Sequence, residues 1–309
     1  MITRQEAELE SALYVVATPI GNLGDITLRA LETLKTVDVI AAEDTRMTRN
    51  LLSHFGVNTR MIAVHEHNER NAAQGIVNLL QQGQSVALVT DAGTPAVSDP
   101  GAIVVAAVHA AGLKVIPIPG PSALIAAISA SGEGEHGFAF HGFLPATAGE
   151  RKRALARLKE SPETLVFYES PHRIVECIAS LHEVFADTRD LVICRELTKK
   201  FETIQRVRLA DAVAWLEADD NNRRGEFVLI LSRPSMGAAS GVEMAEAQAL
   251  ERTLQVLLAE LPLKQAVALA VKLTGKKKNK VYEMALAIKA APDATAAATH
   301  DTQAREGPA

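Results

Sequence analysis

The 309-residue chain predicts an α/β fold in two successive parts, a mostly parallel N-terminal sheet and a mixed second sheet, followed by a small C-terminal helical domain. Three observations carry that expectation. Short β-rich runs alternate with helical patterns from Leu13 to Ile118, which marks a mostly parallel α/β sheet. After Gly120 the strand-like runs crowd together, so that at least one antiparallel hairpin enters a mixed sheet. Beyond Ala249 the β pattern ceases and helical periodicity takes over. Length agrees with this division, because single cores usually split beyond roughly 250 to 300 residues.

In the first part, strands are expected at Leu13–Ala17, Val39–Ala42, Met61–Val64, Ser85–Val89 and Lys114–Ile118. Helices fall between them, as at Thr27–Thr36 and Asn68–Gln82, with Gly83 placed to end the second. In the second part, the strands are Phe138–Phe143, Thr164–Tyr168, Leu191–Arg195, Thr203–Leu209 and Phe227–Leu231. The small-residue stretch Pro234–Gln248 reads as a linker. Helices follow at Ala249–Glu260, Pro262–Leu273 and Val281–Ala290. Pro262 suits a first helical position and Gly275 a C-terminal cap, so the last two form a helix-turn-helix pair. The division is residues 1–12 as a flexible N-terminus, 13–120 and 121–234 as the two α/β domains, 235–248 as linker, 249–290 as the helical domain and 291–309 as a disordered tail.

Composition bounds the function. A 48% hydrophobic and 22% charged chain is ordinary for a globular protein, and its apolar runs break well before the roughly 18 residues of a membrane span. Met1–Ser11 is polar and acidic, unlike a signal peptide, and two isolated cysteines fit a reduced, cytoplasmic setting. The net charge of −5 argues against a uniformly basic nucleic-acid binder. A local basic patch can still contact phosphates, and Lys276, Lys277, Lys278 and Lys280 are concentrated in the turn Gly275–Lys280.

The stretch VATPIGNLGD, Val16–Asp25, joins the first strand to the first helix. Glycines there usually suggest a phosphate cradle. This loop argues otherwise: Pro19 removes an N–H donor, no lysine follows the glycines, and Asp25 adds negative charge. The richest loop is TDAGTPAVSDPG, Thr90–Gly101, where Gly93 permits close backbone approach and Asp91, Thr94 and Ser98 offer polar groups. Asp91 and Asp99 serve equally well as turn caps. Three loops share a small or polar residue followed by proline, at Asp99-Pro100, Gly120-Pro121 and Ser170-Pro171, and each is expected to start a helix. In an open α/β sheet such loops converge at the carboxyl ends of the strands. Glu43, Asp44 and Arg46 end the second strand, with Asp44 either functional or a helix cap. Glu169, His172 and Arg173 follow a strand of the second part, and Glu196, Lys199 and Lys200 follow the next. His65 and His67 share a strand face, but no further ligands at metal-binding spacing accompany them, so no metal is expected.

Taken together, TPIGNLGD, AAEDTR, DAGTPAVSDPG, PGPSA, FYESPHR, RELTK, GEFVLI and the LPLK…GKKKN segment closely resemble the ribosomal-RNA-modifying members of the tetrapyrrole methylase family, from about Leu13 to Ala290. The resemblance implies S-adenosylmethionine bound in a cleft between two α/β domains, 2′-O-methylation of a cytidine in 16S rRNA, a homodimer, and 16S rRNA or the 30S subunit as partner. That cofactor bears no phosphate, which accounts for the first loop. By the same resemblance, Pro19 and Gly21, then Asp91, Gly93, Thr94, Pro95 and Val97, then Ser122 and Ala123 contact the cofactor, with Tyr168, Leu197 and Glu226 as walls from the second domain. Related tetrapyrrole enzymes carry an acidic residue where this chain has Thr94.

Transfer to a neutral hydroxyl benefits from a base. Glu43, Glu169, and Lys199 if desolvation lowers its pKa, are the candidates. RNA contacts fall to Arg46, Arg173 and the turn lysines Lys276, Lys277, Lys278 and Lys280. Two rivals stay open: a tetrapyrrole or diphthamide methyltransferase of the same fold, which has no need of the lysine-bearing helices, and a non-catalytic RNA-binding assembly factor.

Overall fold

A computed structural model describes residues 9–65, 67–135, 137–234 and 239–290. The chain divides into two compact units, Met1–Ser235 and Met236–Ala309.

The first unit holds both sheets. Its N-terminal sheet is wholly parallel and runs β3 (Met61–Ala63), β2 (Val39–Ala42), β4 (Val86–Val89), β1 (Leu13–Val16) and β5 (Val115–Ile118). Because side chains alternate across a strand, Leu13, Val39, Ala41, Val86 and Leu88 enter the core on one face. Tyr14, Val16, Ile40, Ala42, Ala87 and Val89 enter the core on the other. Burial on both faces is what makes these strands read as continuous apolar runs. The helices covering them are α1 (Leu28–Thr36), α2 (Thr45–His54), α3 (Glu69–Gln81) and α4 (Ala102–Ala110). β1 and β4 lie side by side, yet the chain leaves β1 toward β2 and leaves β4 toward β5 on the opposite side. A crevice opens at such a switch point, beyond the carboxyl ends of the strands.

The second sheet is mixed, in the order β6 (Phe138–Phe143), β7 (Thr164–Glu169), β10 (Phe227–Leu231), β8 (Asp190–Arg195) and β9 (Thr203–Arg208). β6 and β7 are parallel, and the other three pairings are antiparallel. One face packs on α7 (Ile174–Phe185) through Phe167, Leu191, Ile193 and Leu229. The other carries Val166, Val192, Val228 and Ile230 against α5 (Ala123–Ser131), and Ile20 from the loop after β1 joins that cluster. The remaining helices are α6 (Ala148–Arg157) and α8 (Ala212–Glu217).

Among the described residues the second unit comprises three helices, α9 (Ala239–Glu260), α10 (Leu263–Thr274) and α11 (Lys278–Ala290), around Leu250, Leu254, Val267, Ala270, Val281 and Ala285. Four expectations differ from the structure. The 235–248 segment is not a linker throughout, since α9 begins at Ala239; its alanines, glutamates and methionine are strong helix formers and only Gly241 opposes them. α11 begins at Lys278, so Lys278 and Lys280 stand in its first turn and the connection shrinks to Gly275–Lys277. The N-terminal segment is anchored from Leu9 onward: Leu9 packs on the core, Ala12 is fully buried, and the Ser11 hydroxyl donates to the Leu80 carbonyl at 2.8 Å. Pro262 is the N-cap of α10 rather than its first residue, and Gly275 closes it in a left-handed conformation. The expected tail at 291–309 and the first eight residues lie outside the described residues.

Candidate active site

The loops after β1 and β4 are tied together directly. Thr18 and Gly93 exchange two backbone hydrogen bonds, of 2.8 and 3.0 Å, and the Thr18 hydroxyl donates to the Thr90 carbonyl at 3.2 Å. Thr94 carries the tie to the loop after β5 by donating its hydroxyl to the Pro121 carbonyl at 3.1 Å. These bonds tie three adjacent loops to one another.

From the second sheet, the segment after β8 meets the first loop. The Lys199 side chain crosses Gly21 so closely that a Cβ there would lie 2.4 Å from Lys199 Cγ. Gly225 does the same for Glu196, whose carboxylate would lie 2.5 Å from an added Cβ. The Glu196 carboxylate accepts the Glu226 N–H at 3.0 Å and receives Lys199 Nζ at 2.8 Å. Left-handed conformations at non-glycine residues cost about 1–3 kcal/mol each and persist only where their surroundings fix them. Four such residues flank this crevice: Ala96 and Ser98 in the loop after β4, and Glu196 and Thr198 on either side of Leu197.

Between the two sheets these loops enclose a cavity of about 320 Å³, a size that holds small-molecule ligands. Its walls are mainly apolar, from Ile20, Val97, Ala123, Leu197 and Val228, with Thr94, Ser122, Asp99 and Glu226 as polar points. Among the described residues, no lysine, arginine or histidine stands on its lining. Tyr168 forms one wall. Its hydroxyl accepts the Leu124 N–H at 3.0 Å, fixing β7 to the start of α5, and Phe140 and Phe143 meet its ring edge-on at centroid distances of 4.8 and 5.7 Å.

Three carboxylates meet at the carboxyl end of the first sheet. The Asp91 N–H donates to Glu43 at 3.4 Å, and Asp91 in turn accepts the Asp44 N–H at 3.1 Å. Burial raises the Glu43 and Asp91 carboxyls above their ordinary values, against the single backbone N–H that each accepts. Asp99 is exposed as a residue, yet partial desolvation of its carboxylate at the cavity wall, then the charges of Glu43 and Asp91, push it up to about 6. Asp44 is the N-cap of α2, accepting the Arg46 N–H at 2.7 Å, and it holds the exposed Arg46 guanidinium at 3.0 Å. Hydrogen bonds from Arg46 keep the Asp44 carboxyl below its usual range.

The structure revises the roles of three expected residues. Burial pulls the Lys199 amine down, but the hydrogen bonds it donates to the Glu196 and Glu226 carboxylates, both at 2.8 Å, outweigh it and hold the amine above its ordinary value. It is a fixed cation, not a desolvated base. Glu169 lies on the cavity lining with its side chain fully buried; Oε1 accepts the Ser170 N–H at 2.8 Å and faces Arg173 at 3.4 Å, bracing the turn into α7, while Oε2 is buried without a hydrogen-bond partner among the described residues. Arg173 spends its guanidinium on the Leu144 and Pro145 carbonyls, at 2.5 and 3.2 Å, and so joins two loops rather than facing solvent.

Of the residues expected to contact a cofactor, Gly93, Thr94, Val97, Ser122, Ala123, Tyr168, Leu197 and Glu226 line the cavity. Pro19, Gly21, Asp91 and Pro95 are not on that lining; Gly21 lies under the Lys199 side chain, and Asp91 is bonded to Glu43 and Asp44. Lys276, Lys277, Lys278 and Lys280 belong to the other compact unit. His65 and His67 approach with ring centroids 6.1 Å apart, and no group of three or more metal-ligating side chains exists among the described residues. Both cysteines are buried and free; burial pushes the Cys194 thiol up to about 12.

Ile20, Phe143 and Asp99 line the cavity although no motif in the sequence pointed them to it. Asp99 was expected to cap a helix at Pro100, but α4 starts two residues later, after Gly101. The buried Glu69 caps it from α3, accepting the N–H groups of Gly101 and Ile103 at 2.8 and 3.0 Å. Likewise α5 starts at Ala123 and α7 at Ile174, each beyond the proline expected to open it. The signal for Asp99 lay in the loop itself: a carboxylate two residues before a glycine N-cap is spare once a glutamate elsewhere serves the helix.

Residues 12–213 match the model of the tetrapyrrole (corrin/porphyrin) methylases, and residues 243–289 match that of the RsmI C-terminal HTH domain. The chain is 48% identical over 277 residues to ribosomal RNA small subunit methyltransferase I of Escherichia coli O157:H7, covering 90% of this chain and 95% of that protein. It is 49% identical over 274 residues to the protein of the same name from Pseudomonas aeruginosa, covering 89% and 96%. Among solved structures, a cobalt precorrin-4 methyltransferase superposes with a TM-score of 0.53 at 17% identity, over 72% of this chain and 95% of that one. The methyltransferase CobJ does so with a TM-score of 0.54 at 18% identity, over 72% and 94%. At such identities the likeness is one of fold.

Proposed function

The chain belongs to the tetrapyrrole methylase family, and from that premise we propose that it transfers a methyl group from S-adenosylmethionine to the 2′-hydroxyl of a cytidine in 16S rRNA. Its relatives at nearly half identity over nine tenths of the chain are named as methyltransferases of small-subunit ribosomal RNA. The observation that carries the choice of cofactor is the cavity lining: apolar walls with carboxylates and hydroxyls and, among the described residues, no cationic side chain. Such a lining disfavours a polyphosphate and suits a cofactor whose reactive centre is a cation.

Bound there, the cofactor supplies a methyl group on a positively charged sulfur. The chain's own contribution is chiefly to hold donor and acceptor in line, which can account for several kcal/mol of barrier. Tyr168 and Leu197 from the second sheet and Thr94, Val97 and Ala123 from the first form walls that exclude water. Four left-handed residues hold the two flanking loops in one shape, so little reorganisation accompanies binding.

The helical unit is the RNA-contacting part, with Lys276, Lys277, Lys278 and Lys280 as phosphate contacts. Lysines in the first turn of a helix oppose its macrodipole; an anion drawn to the same helix end would turn that cost into a gain. A homodimer acting on 16S rRNA, free or within the 30S subunit, completes the proposal.

Calorimetric titration with S-adenosylmethionine tests the cavity. Saturable binding lost on Ala123→Trp, which would fill the wall at the start of α5, is expected. Absence of binding to the unsubstituted protein, or binding untouched by that change, would overturn the assignment.

A further inference from the structure

We infer that Phe143 is a stacking platform for an unpaired pyrimidine base of the RNA substrate, holding the acceptor nucleotide at the mouth of the cavity. The inference rests on the proposed reaction and deepens it by naming a side chain that grips the substrate rather than the cofactor.

The cavity has a floor and a rim. Leu197 and Val228 are buried on its floor, whereas Ser98, Asp99, Phe143 and Glu226 are exposed and stand on its rim. An acceptor too large to enter must meet the rim. Among the described residues Phe143 is the aromatic side chain of that rim, with 53% of its surface open.

A single exposed apolar residue is ordinary by itself. What sets Phe143 apart is how firmly its backbone is held while the ring stays open. β6 slips register against β7 between Phe140 and Phe143, and such a bulge re-aims a side chain. Within it Gly142 has φ of +61°, and a Cβ there would lie 2.8 Å from Ser98 Oγ, so the strand lies against the loop after β4 at this point. Just beyond, Leu144 is buried, and Arg173 holds the Leu144 and Pro145 carbonyls at 2.5 and 3.2 Å. The ring meets that of Tyr168 at a centroid distance of 5.7 Å, and Tyr168 is itself fixed by the Leu124 N–H. An aromatic surface pinned in this way loses little freedom when a ligand covers it.

The charge of the rim selects the occupant. Asp99 and Glu226 both carry carboxylates, and Lys199, shared between Glu226 and Glu196, does not reverse the sign. Phosphates are repelled there, so the uncharged base is the part of a nucleotide that the rim can grip. Bases splayed from single-stranded RNA are held by stacking on aromatic side chains.

The test measures methyl transfer to 30S subunits by Phe143→Tyr, Phe143→Leu and Phe143→Ala, with S-adenosylmethionine titrations and sedimentation on the same preparations. Loss of one stacked base lowers affinity by a factor of about 5 to 100. Phe143→Leu and Phe143→Ala should lose kcat/KM for 30S subunits by that factor, while Phe143→Tyr stays within about threefold of the unsubstituted enzyme. Cofactor affinity should stay within about threefold in all three. Leucine keeps apolar bulk but has no π-face, so a merely structural role would leave Phe143→Leu near the unsubstituted rate.

A loss of less than about fivefold in Phe143→Leu, or an equal loss in Phe143→Tyr, would overturn the platform. So would a larger loss of cofactor affinity, which would assign the ring to the cofactor's adenine, or a change in sedimentation, which would assign it to a contact between copies of the chain. Should Phe143→Ala not fold, the tyrosine and leucine substitutions decide alone. Cofactor binding without label in any RNA would overturn the proposed reaction and this role with it; an active enzyme indifferent to Phe143→Leu overturns only the platform.

Discussion

Gly21→Ala probes the junction between the first loop and the second sheet. Gly21 has φ of +152°, a region that side-chain-bearing residues rarely adopt and that costs of order 1–3 kcal/mol. The new methyl would stand 2.4 Å from Lys199 Cγ and 2.7 Å from its Cε, so the lysine must move. Moving it breaks two partly exposed ion pairs, with Glu196 and Glu226, each worth about 0.2–1 kcal/mol. Together the loss is about 1.4–5 kcal/mol. For a unit of this size each kcal/mol shifts Tm by about 2–4 °C, so differential scanning calorimetry should record a fall of roughly 3–20 °C. The clash and the strain can be separated. In Gly21→Ala/Lys199→Ala the steric part disappears while the backbone strain stays, so the double variant should be about 1 kcal/mol more stable than the sum of the singles. A Gly21→Ala protein melting within about 1 °C of the unsubstituted one, or strict additivity in the double variant, would refute the packing of Lys199 over Gly21.

Four further outcomes follow from the same geometry. Lys199→Met should slow methyl transfer by less than about tenfold, because the amine is a fixed cation; a loss of about 100-fold or more would restore it to the chemistry. Glu69→Ala should lower unfolding free energy in urea by about 1–3 kcal/mol, since it strands the N–H groups of Gly101 and Ile103. Stability should depend on pH through Asp99. Its folded pKa, about 6, exceeds the ordinary 3.8, so the stability it contributes is fully present below about pH 4 and is lost as pH rises through about 6. Asp99→Asn should therefore gain in Tm relative to the unsubstituted protein between those limits, and an unchanged difference across the window would contradict the raised value. Neutralising Lys276, Lys277, Lys278 and Lys280 together should flatten the salt dependence of RNA affinity by up to about 3 in log–log slope, at roughly 0.7 per contact to single strands; an unchanged slope would remove them from the interface.

Most of the fold was legible because its signals are local and repeated. Short apolar runs placed the ten strands of the described residues to within a residue or so, and the crowding after Gly120 announced the mixed sheet. What failed were inferences from single residues. Proline after Asp99, Gly120 and Ser170 marked loops rather than helix starts, since proline fixes φ equally well for a turn. The stretch from Ala239 looked like a linker because small residues serve both linkers and helices; among the described side chains the buried Leu250 and Leu254 further along, with Leu257 and Leu258, give the helix a partner face. At the site, the loops that form the cavity could be read from their glycines and position. Asp99 could not, because its freedom depends on Glu69, thirty residues earlier in the chain and on another helix. Nor could the true duties of Lys199 and Arg173 be read, because charge and strand-end position are the same for a residue that faces a ligand and one that braces a loop. Only the partners, Glu196 and Glu226 for one and two carbonyls for the other, separate the cases.

The most direct measurement is transfer of tritiated methyl from S-adenosylmethionine to 30S subunits, to free 16S rRNA and to a precorrin mixture, with nuclease digestion of the labelled RNA. Recovery of the label as 2′-O-methylcytidine is the predicted result. Label confined to the tetrapyrrole, or found in the RNA on a base rather than on the ribose, would contradict it.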